Sequence, residues 1–297
     1  MALNQQARSV RCAAALDVGL TFGPLVRGAY DPASRISGHV WTRAWHTPQG
    51  AVTTRIEAMP RDSAVEFEAW GPGAAWALHH APEIVGAGDG KPVFAPTHPL
   101  LGRLARRFTG LRFARLRAVY DVAIATVLEQ RVTSIESRRT WSALVRAYGE
   151  PAPGPYRLRL APSPDALAAL SDHARHELGI EWRRGVTLAR IAAQIAVLDR
   201  AAAEPGEALH LRLRAMPGIG PWTTAHIVHA VQGDPDAVPV GDWHLPSHVA
   251  WALRGERRAD DARMLELLEP FRPQRAWAWR LIMAGVPMAP RRVPRAR

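Results

Sequence analysis

The 297-residue sequence predicts an α+β fold, with an antiparallel sheet in an N-terminal α/β domain followed by an all-helical region. Residues 14–75 are interpreted mainly as strands, and the alternation of apolar and polar side chains over 65–70 is typical of a half-buried strand. From residue 114 onward the apolar residues recur every three or four positions, which is typical of helices. A segment rich in glycine and proline, 85–99, lies between the two patterns and indicates a linker. We expect a strand-rich domain over 1–90, a helical region over 91–286 and a basic tail over 287–297.

Strands and one short helix account for the first domain. Val40–Trp45 and Val52–Ala58 are expected to pair as a hairpin, because the intervening His46–Gly50 is rich in turn-forming residues. Val65–Trp70 alternates with a period of two and ends at a Gly-Pro-Gly sequence. Residues 74–80 then predict a short helix.

Helices account for the rest of the chain. Asp165 and Ser171 lie where two of them begin, and both residue types favour the capping position. A proline-rich segment, 151–155, interrupts the series. Helical apolar spacing predicts helices over residues 114–129, 135–148, 163–170, 172–178, 187–203, 207–215, 221–232, 243–253 and 275–284.

The charge balance points to a polyanionic partner. Lys and Arg together number 38 against 27 acidic residues, for a formal net charge of +11. Lys91 is the only lysine, so nearly all of this charge is carried by arginine, which binds phosphates in a bidentate manner. Nucleic acid is the simplest partner for such a surface, and a solvated basic surface without that role is the alternative.

Other features restrict the class of protein. Cys12 is the only cysteine, which excludes an internal disulfide and a cluster held by four thiolates. The N-terminus shows no basic segment followed by an apolar run, and no apolar stretch approaches 18 residues. We therefore expect a soluble, cytoplasmic protein without a membrane partner. The pair His79-His80 lacks further ligands at metal-binding spacing and is interpreted as structural.

The segment Met216–Trp222 contains the pattern most suggestive of function. Gly218 and Gly220 flank Ile219, which predicts a tight turn between two helices with Ile219 packed as an anchor. Glycine also lets a phosphate approach the backbone, and the helix starting at Pro221 would direct its unpaired N–H groups toward that anion. A simple connection between two helices, without a ligand, explains the same residues.

An acidic residue follows at a defined distance. Asp242 lies twenty positions after Trp222 and directly follows the sequence Val238-Pro239-Val240-Gly241. The apolar approach suggests that the carboxylate emerges at a cleft rather than in bulk water. A helix N-cap is the ordinary role for such an aspartate, and this role is compatible with a catalytic one.

Together these residues resemble the signature of the helix-hairpin-helix DNA glycosylases, most closely the alkylpurine branch typified by 3-methyladenine DNA glycosylase II. The resemblance covers roughly Leu111–Ala284 and, more weakly, the N-terminus. Ala123–Ser134 is similar to the segment in which that branch carries a glutamine and an intercalating residue. In that branch an α/β domain precedes a helical helix-hairpin-helix region, as expected here.

The resemblance implies roles for individual residues. Asp242 would be the catalytic acid, and Trp222 stands where the lyase members carry a nucleophilic lysine. Because Lys91 lies outside the hairpin, the resemblance implies a monofunctional enzyme that leaves an abasic site. His226 and Met283 depart from the aromatic residues of the best-known branch member. The implied base pocket consists of Trp222, His226, Trp243 and Met283, and the implied DNA contacts are Gln130, Arg131, Gly218, Ile219 and Gly220.

Several of these assignments have alternatives. Arg131 is either the residue that fills the space left by the extruded base, or a phosphate contact or solvated side chain. Trp222 and Trp243 form either an aromatic slot or part of the core. The family also implies a monovalent or alkaline-earth cation held by backbone carbonyls, which here would belong to Arg214, Met216 and Ile219.

The resulting hypothesis is a monomeric, nucleoid-associated glycosylase that excises alkylated purines from double-stranded DNA during base excision repair. It would require no cofactor and carry no iron–sulfur cluster. One alternative is a glycosylase for another class of damaged base. The other is a non-catalytic protein that uses the same fold to bind DNA lesions.

Overall fold

The structure is a computed structural model that describes residues 5–87, 94–204 and 206–290. The predicted domain boundary near residue 90, Lys91 and the residues from 291 onward lie outside these ranges. Contacts divide the chain into two compact units. One joins Met1–Gly90 with Gly110–Gly233, and the other joins Lys91–Thr109 with Asp234–Arg297.

The first unit contains a five-stranded antiparallel sheet with the order β1-β5-β4-β3-β2. The predicted α+β composition is therefore confirmed, together with the central hairpin and the strand that follows it. The strands are β1 (Gln5–Arg11), β2 (Ser34–Ser37), β3 (Val40–Thr47), β4 (Gly50–Met59) and β5 (Ala64–Trp70).

The turn between β3 and β4 is tighter than predicted. The ladder continues until Thr47 pairs with Gly50, so only Pro48 and Gln49 form the connection. Thr47 closes this turn, because its hydroxyl donates to the carbonyl of Gly50 at 2.8 Å. The edge strand β1 is absent from the prediction, because only Val10 of its residues is buried and the sequence shows no apolar alternation.

Helices occupy most of the remaining chain. The first unit contains all of them except α4, α12, α13 and α14, and short 3₁₀ turns occur at Gly23–Leu25 and Glu269–Phe271. The helices are α1 (Val18–Phe22), α2 (Ala74–His79), α3 (Ala81–Ile84), α4 (Pro99–Arg107), α5 (Tyr120–Leu128), α6 (Ser134–Tyr148), α7 (Pro164–Ala168), α8 (Asp172–Glu177), α9 (Trp182–Ala203), α10 (Ala208–Arg214), α11 (Pro221–Gln232), α12 (Leu245–Arg254), α13 (Asp261–Leu268) and α14 (Arg275–Gly285).

Two predicted helix starts are wrong by several residues. Helix α5 begins at Tyr120 rather than 114, because Leu116 and Arg117 donate their N–H groups to the carbonyls of Ala230 and Val231. Arg117 also has a positive φ of 60°, which a right-handed helix does not accept. Helix α9 begins five residues before the predicted Thr187, at Trp182.

Helix α5 is the centre of the first unit. All nine of its residues are buried, as expected for a helix surrounded by protein. One of them is charged: Asp121, only 2% exposed, lies against strand β3. Its Oδ2 accepts hydrogen bonds from the backbone N–H of His46 at 2.9 Å and from Nδ1 of the same residue at 3.1 Å. This carboxylate therefore ties the core helix to the sheet.

Four helices pack together in the described part of the second unit. The backbone of Gly285 on α14 approaches Leu104 and Phe108 so closely that a Cβ there would meet Leu104 at 2.5 Å. The indole of Trp279 donates to the carbonyl of Ala237 at 2.9 Å, which ties α14 to the segment preceding Asp242. Helices α4 and α13 were not predicted. None of the helices in the described ranges combines the length and apolar character needed to cross a bilayer.

The Asp121–His46 pair predicts a specific pH dependence of stability. Burial alone would raise the pKa of Asp121, but His46 and Arg43 outweigh it and hold the pKa below 3.8. Burial alone would lower the pKa of His46, but Asp121 outweighs it and raises the pKa above 6.5. Stability from Asp121 is lost as pH falls through its lowered pKa, and stability from His46 is lost as pH rises through its raised pKa.

We therefore expect the free energy of unfolding to be greatest between about pH 4 and 6.5. Substitution of Asp121 by Asn should flatten this profile and reduce stability by about 3 kcal/mol, because it breaks a buried pair. Urea unfolding across pH 3–9 measures both effects. The matched control is Asp172→Asn, whose carboxylate is exposed on α8. An unchanged profile in the Asp121 variant would contradict the assignment.

Candidate functional site

The predicted hairpin lies between α10 and α11, and its two glycines have different roles. Gly218 has φ of +97°, a conformation that favours glycine, and a Cβ at this position would collide with the hydroxyl of Thr187 on α9. Gly220 is the N-cap of α11 in extended conformation, with open space where its Cβ would be. Gly218 therefore permits the turn, whereas Gly220 leaves room beside the helix N-terminus.

Buried apolar residues anchor the turn in the protein core. Ile219 and Met216 are 5% and 4% exposed, as predicted for an anchor, and the N–H of Ile219 donates to the carbonyl of Met216 at 3.0 Å. Pro221 occupies the first turn of α11, where its missing N–H costs nothing. The hairpin thus presents the backbone of Gly220 and the start of α11 to the surface.

Two side chains hold the turn from outside it. Gln130, in the turn after α5, donates through Nε2 to the carbonyl of Gly218 at 3.0 Å and to the hydroxyl of Thr223 at 2.8 Å. Arg190 on α9 donates to the carbonyl of Pro217 at 3.1 Å. The amide of Gln130, predicted as a DNA contact, is thus engaged within the protein and positions the hairpin.

Arg131, the next residue, differs from Gln130. It is exposed and has φ of +57°, so the chain turns sharply at this point. Helix α6 starts three residues later behind a capping box formed by Thr133 and Glu136. The cap fixes the direction in which the chain leaves the turn. Arg131 therefore projects from a short, well-anchored loop beside the residue that holds the hairpin.

Asp242, in the second unit, is half-buried and precedes α12. Its Oδ1 accepts hydrogen bonds from the N–H groups of His244 and Leu245, both at 2.8 Å. The N-cap residue by position is His244, so Asp242 caps the helix from two residues further away. The carboxylate is consequently fixed in direction by the start of α12, and N–H donors to an ionised group form strong hydrogen bonds.

Asp261 is a supporting residue that sequence reasoning missed. It is the first residue of α13, and both of its carboxylate oxygens accept from the N–H of Gly241, at 3.0 and 3.1 Å. Gly241 has φ of +95° and directly precedes Asp242. The capping residue Asp260 and the apolar spacing of Met264 and Leu267 could have predicted α13, although not the contact with the loop.

The aromatic residues of the predicted base pocket fall in both units. Trp222 and His226 lie side by side on α11, with ring centroids 4.4 Å apart and planes at 60°. His229, one turn further, contacts Phe113 at 4.5 Å instead. Trp222 and His226 therefore share one surface of α11, and His229 packs against a neighbouring segment.

Trp243 and Met283 belong to the second unit, as Asp242 does. Trp243 is 89% exposed and directly follows the acid, which argues against a core role for this indole. Met283 is 54% exposed on α14, and its sulfur lies 3.2 Å from Nδ1 of the buried His248 on α12. Nε2 of that imidazole lies 2.7 Å from the carbonyl of Val286, so His248 links the two helices.

Side chains suited to a metal are not clustered. Over the described ranges, no group of three His, Cys, Asp or Glu residues could hold an ion. A cation at the hairpin would instead rely on the carbonyls of Arg214, Met216 and Ile219. Carbonyl oxygens suit hard cations, and the Met216 carbonyl retains a second lone pair beside its bond to Ile219.

No family model matches the sequence. A curated relative, described as "Probable bifunctional transcriptional activator/DNA repair enzyme AlkA" from Mycobacterium tuberculosis, is 29% identical over 151 residues. The match covers 50% of this chain and 30% of that protein. The chain thus spans about a third of the length of the curated relatives it matches.

Solved structures give broader coverage. A 3-methyladenine DNA glycosylase from Archaeoglobus fulgidus matches with a TM-score of 0.75 at 16% identity, over 93% of this chain and 97% of that one. The chain has the fold of the helix-hairpin-helix DNA glycosylases. An 8-oxoguanine glycosylase/lyase from Clostridium acetobutylicum, in its apo form, has a TM-score of 0.67 at 11% identity, over 95% and 97% of the two chains. The resemblance inferred from the hairpin is thereby confirmed.

The two hairpin glycines provide a matched pair of variants. Gly218→Ala is expected to lower the free energy of unfolding by about 2 kcal/mol or more, because the left-handed backbone disfavours a Cβ and Thr187 occupies its place. Gly220→Ala should change stability by less than about 0.5 kcal/mol. Chemical denaturation measures both.

The double variant Gly218→Ala with Thr187→Ala should recover part of the loss, since it removes the hydroxyl that collides. Equal stability of the Gly218→Ala and Gly220→Ala variants would show that the turn is not set by this contact. Simple additivity of the Gly218→Ala and Thr187→Ala effects on the free energy of unfolding would show the same.

Proposed function

We propose that this chain is a monofunctional DNA glycosylase that releases alkylated purines from double-stranded DNA. The observation that carries the proposal is Asp242, a carboxylate fixed by two N–H donors in a chain with the fold of DNA glycosylases. The curated relative described as a DNA repair enzyme AlkA and the 3-methyladenine glycosylase support the alkylpurine class.

DNA binding would begin at the hairpin. The start of α11 supplies N–H groups for a phosphate, and the open space beside Gly220 lets the backbone approach. The base must leave the helical stack before it can be cleaved. Arg131, exposed on its short loop, would occupy the space that the base leaves. Trp222, beside His226 on α11, offers an aromatic face to a cationic alkylated purine.

The chemistry follows from the leaving group. When the bond between C1′ of the sugar and the purine nitrogen breaks, its electron pair leaves with the base and positive charge develops on the sugar. The Asp242 carboxylate would stabilise that charge. A water oxygen then bonds to C1′ and its proton passes to the carboxylate or to solvent. The products are the free purine and an abasic sugar with both phosphodiester bonds intact.

Two features support a hydrolytic reaction without strand cleavage. A lyase needs an amine that forms an imine with the sugar, and arginine does not supply one. By the resemblance, Trp222 would stand where the lyase branch carries its lysine, and Lys91 is the only lysine in the sequence. A cation on the carbonyls of Arg214, Met216 and Ile219 would support the hairpin and take no part in the bond cleavage.

A second candidate is a monofunctional glycosylase for oxidised or deaminated bases. The fold similarity to an 8-oxoguanine glycosylase/lyase favours its inclusion. His226 beside Trp222 also gives this surface a polar ring. A non-catalytic lesion-binding protein is the third candidate, and it would release no base from any duplex.

The variant Asp242→Asn is expected to bind lesion-containing duplexes while losing base release by at least about a hundredfold, because a neutral amide cannot stabilise the developing cation. The release of free base from methylated duplex DNA measures the rate of excision. Strand cleavage on addition of alkali reveals the abasic sites that excision leaves. Asp62→Asn, the same chemical change at an exposed position in the turn between β4 and β5, is the matched control.

The proposal predicts that DNA treated with the unsubstituted protein shows strand breaks only after alkali is added. Full release by the Asp242 variant would disprove its role. Release of oxidised or deaminated bases alone, from a panel of duplexes, would establish the second candidate. Tight binding without release from any duplex would establish the third.

Arg131→Ala is expected to slow excision by about tenfold from a fully paired duplex, and less when the lesion lies opposite an abasic site. The side chain would compensate for lost stacking, which is smaller in an already disrupted duplex. Arg139→Ala, an exposed arginine on α6, is the matched control. An equal effect on both duplexes would instead indicate a phosphate contact.

A further inference from the structure

A cavity of the first unit lies near the end of α9, away from the residues of that helix that contact the hairpin. It has a volume of about 500 Å³, which is in the range of pockets that enclose a small organic molecule. Its walls come from the turn between β3 and β4, from α2, from the residues that precede and begin α5, and from the last turns of α9. The cavity therefore lies between the sheet and the helices of one compact unit.

Aromatic rings form much of the lining. Trp76 on α2 and His80, which directly follows this helix, have ring centroids 4.4 Å apart. His46 and Tyr120 form an edge-to-face pair, with centroids 5.3 Å apart and planes at 89°. The hydroxyl of Tyr120 donates to the carbonyl of Pro162 at 2.8 Å, so this residue offers ring surface to the cavity. Two aromatic pairs favour a planar aromatic ligand over a branched aliphatic one.

Asp199 contributes a carboxylate to this aromatic lining. Its Oδ1 accepts a hydrogen bond from the N–H of Val119 at 3.0 Å, and no basic side chain among the described residues forms an ion pair with it. Burial raises the pKa of this carboxyl to about 6, against the hydrogen bond from Val119, and Asp121 adds to the increase. At neutral pH the ionised group is therefore costly to bury without a cation, and such a group in a cleft is typical of binding sites.

The two arginines of the lining do not neutralise Asp199. Arg117 forms an ion pair with Glu83, in which Nε lies 3.1 Å from Oε2, and it also donates to the carbonyl of Ala203 at 3.3 Å. Arg200 is exposed, so water screens its charge. Neither guanidinium is recorded as lowering the pKa of the Asp199 carboxyl.

Two imidazoles also line the cavity, and neither adds a free positive charge at pH 7.5. His46 is paired with Asp121, so the charges of the two groups offset each other. Burial holds the pKa of His80 below 6.5, so this ring is neutral. Among the described lining residues, Asp199 therefore carries the uncompensated buried charge.

We propose that this cavity binds a small planar aromatic cation with N–H donors, such as an amidinium or an N-protonated heterocycle. The positive group would donate to Asp199, and the ring would lie against Trp76, because an indole face attracts a cation. An anion would be repelled by the carboxylate, and an uncharged ring would leave that charge without a partner. The inference does not rest on the proposed function, since this site needs neither DNA nor base release.

Three probes of nearly equal shape test the charge preference: benzamidine is a cation, benzamide is neutral and benzoate is an anion. Calorimetric titration of the full chain at pH 7.5, without DNA, measures each dissociation constant. Benzamidine should bind with a Kd of about 1 mM or lower, which a ligand of this size can reach, and at least about tenfold more tightly than benzamide. Benzoate should not bind. Equal affinity for benzamidine and benzamide, or no binding of benzamidine at about 10 mM, would overturn the proposal.

The variant Asp199→Asn tests the carboxylate. It should reduce the affinity for benzamidine to that for benzamide, because the amide keeps the shape and the acceptor for Val119 but carries no charge. Glu204→Gln, the same chemical change at an exposed position at the end of α9, is the matched control and should alter the affinity by less than about twofold. Equal losses in the two variants would indicate general surface charge and overturn the assignment.

The pH profile of binding gives a second readout. Asp199 takes up a proton between pH 7.5 and 5, whereas benzamidine stays a cation, so its binding should weaken about tenfold over this range. The variant Asp199→Asn retains all other charged and titratable groups in and behind the lining, and these are His46, His80, Arg117, Tyr120, Arg200, Glu83 and Asp121. A pH profile identical to that of the unsubstituted protein would overturn the role of Asp199.

Two further variants test the location of the ligand. Trp76→Leu should weaken binding of benzamidine by about threefold or more, whereas Trp76→Phe should retain most of it, because phenylalanine keeps an aromatic face. Ala196→Phe, at an exposed position of the lining on α9, should block benzamidine and benzamide alike by filling the space. Unchanged binding in the Ala196 variant, with thermal unfolding like that of the unsubstituted protein, would overturn the proposal.

Asp242 is also a carboxylate beside an aromatic residue, so the two sites must be distinguished. Asp242→Asn should change the affinity for benzamidine by less than about twofold, and loss of binding in this variant alone would overturn the assignment to the cavity. A protein that releases no base, yet binds benzamidine through Asp199, retains this site and loses the proposed function. A protein that releases alkylated purines without preferring benzamidine retains the function and loses this site.

Discussion

The buried carboxylate of Asp121 is the interaction on which the first unit depends. It lies on α5, a helix with no exposed residue, and it binds both the backbone and the ring of His46 on strand β3. Separation of the pair would leave Asp121 as a buried charge and His46 with unsatisfied donors, and both are costly. The pair thus fixes how α5 sits against the sheet, and the position of α5 decides where its other end emerges.

That other end carries the surface that we propose binds DNA. The chain leaves α5 through the turn that contains Gln130 and Arg131, and Gln130 binds the hairpin at Gly218 and Thr223. Helix α9 supports the same hairpin through Thr187 and Arg190. Contacts from the turn after α5 and from α9 therefore hold the hairpin on two sides. This accounts for the glycine at position 218, where the hairpin comes closest to Thr187.

The sequence patterns predicted the parts that local physics determines. The strands β3, β4 and β5 and the Gly-Ile-Gly turn reflect burial and backbone conformation, and all of them appear as expected. Edge strand β1 and the first turn of α9 were missed, because an exposed strand has no apolar period and Gly185 discourages a helix. Helix α13 was overlooked although its N-cap Asp260 was visible. Contacts between distant segments, such as that of Asp261 with Gly241, cannot be predicted from the local pattern of apolar and polar residues.

The roles of neighbouring residues also required the structure. Gln130 and Arg131 are adjacent in sequence and both suggested DNA contacts, yet the first binds backbone and side chain within the protein while the second is exposed. Asp242 likewise combines a cap with a fixed carboxylate. Spacing identifies such positions, but only hydrogen-bond partners distinguish a group that supports a surface from one that faces outward.

The bonds of Gln130 have a further consequence for how the surface meets a ligand. Because one amide joins two loops that are 88 residues apart in the chain, these loops cannot reorient independently. Little conformational entropy remains to be lost when a partner arrives, so encounter need not await an ordering step. For a protein that samples many binding sites in succession, a binding surface that is already ordered shortens the time spent at each site.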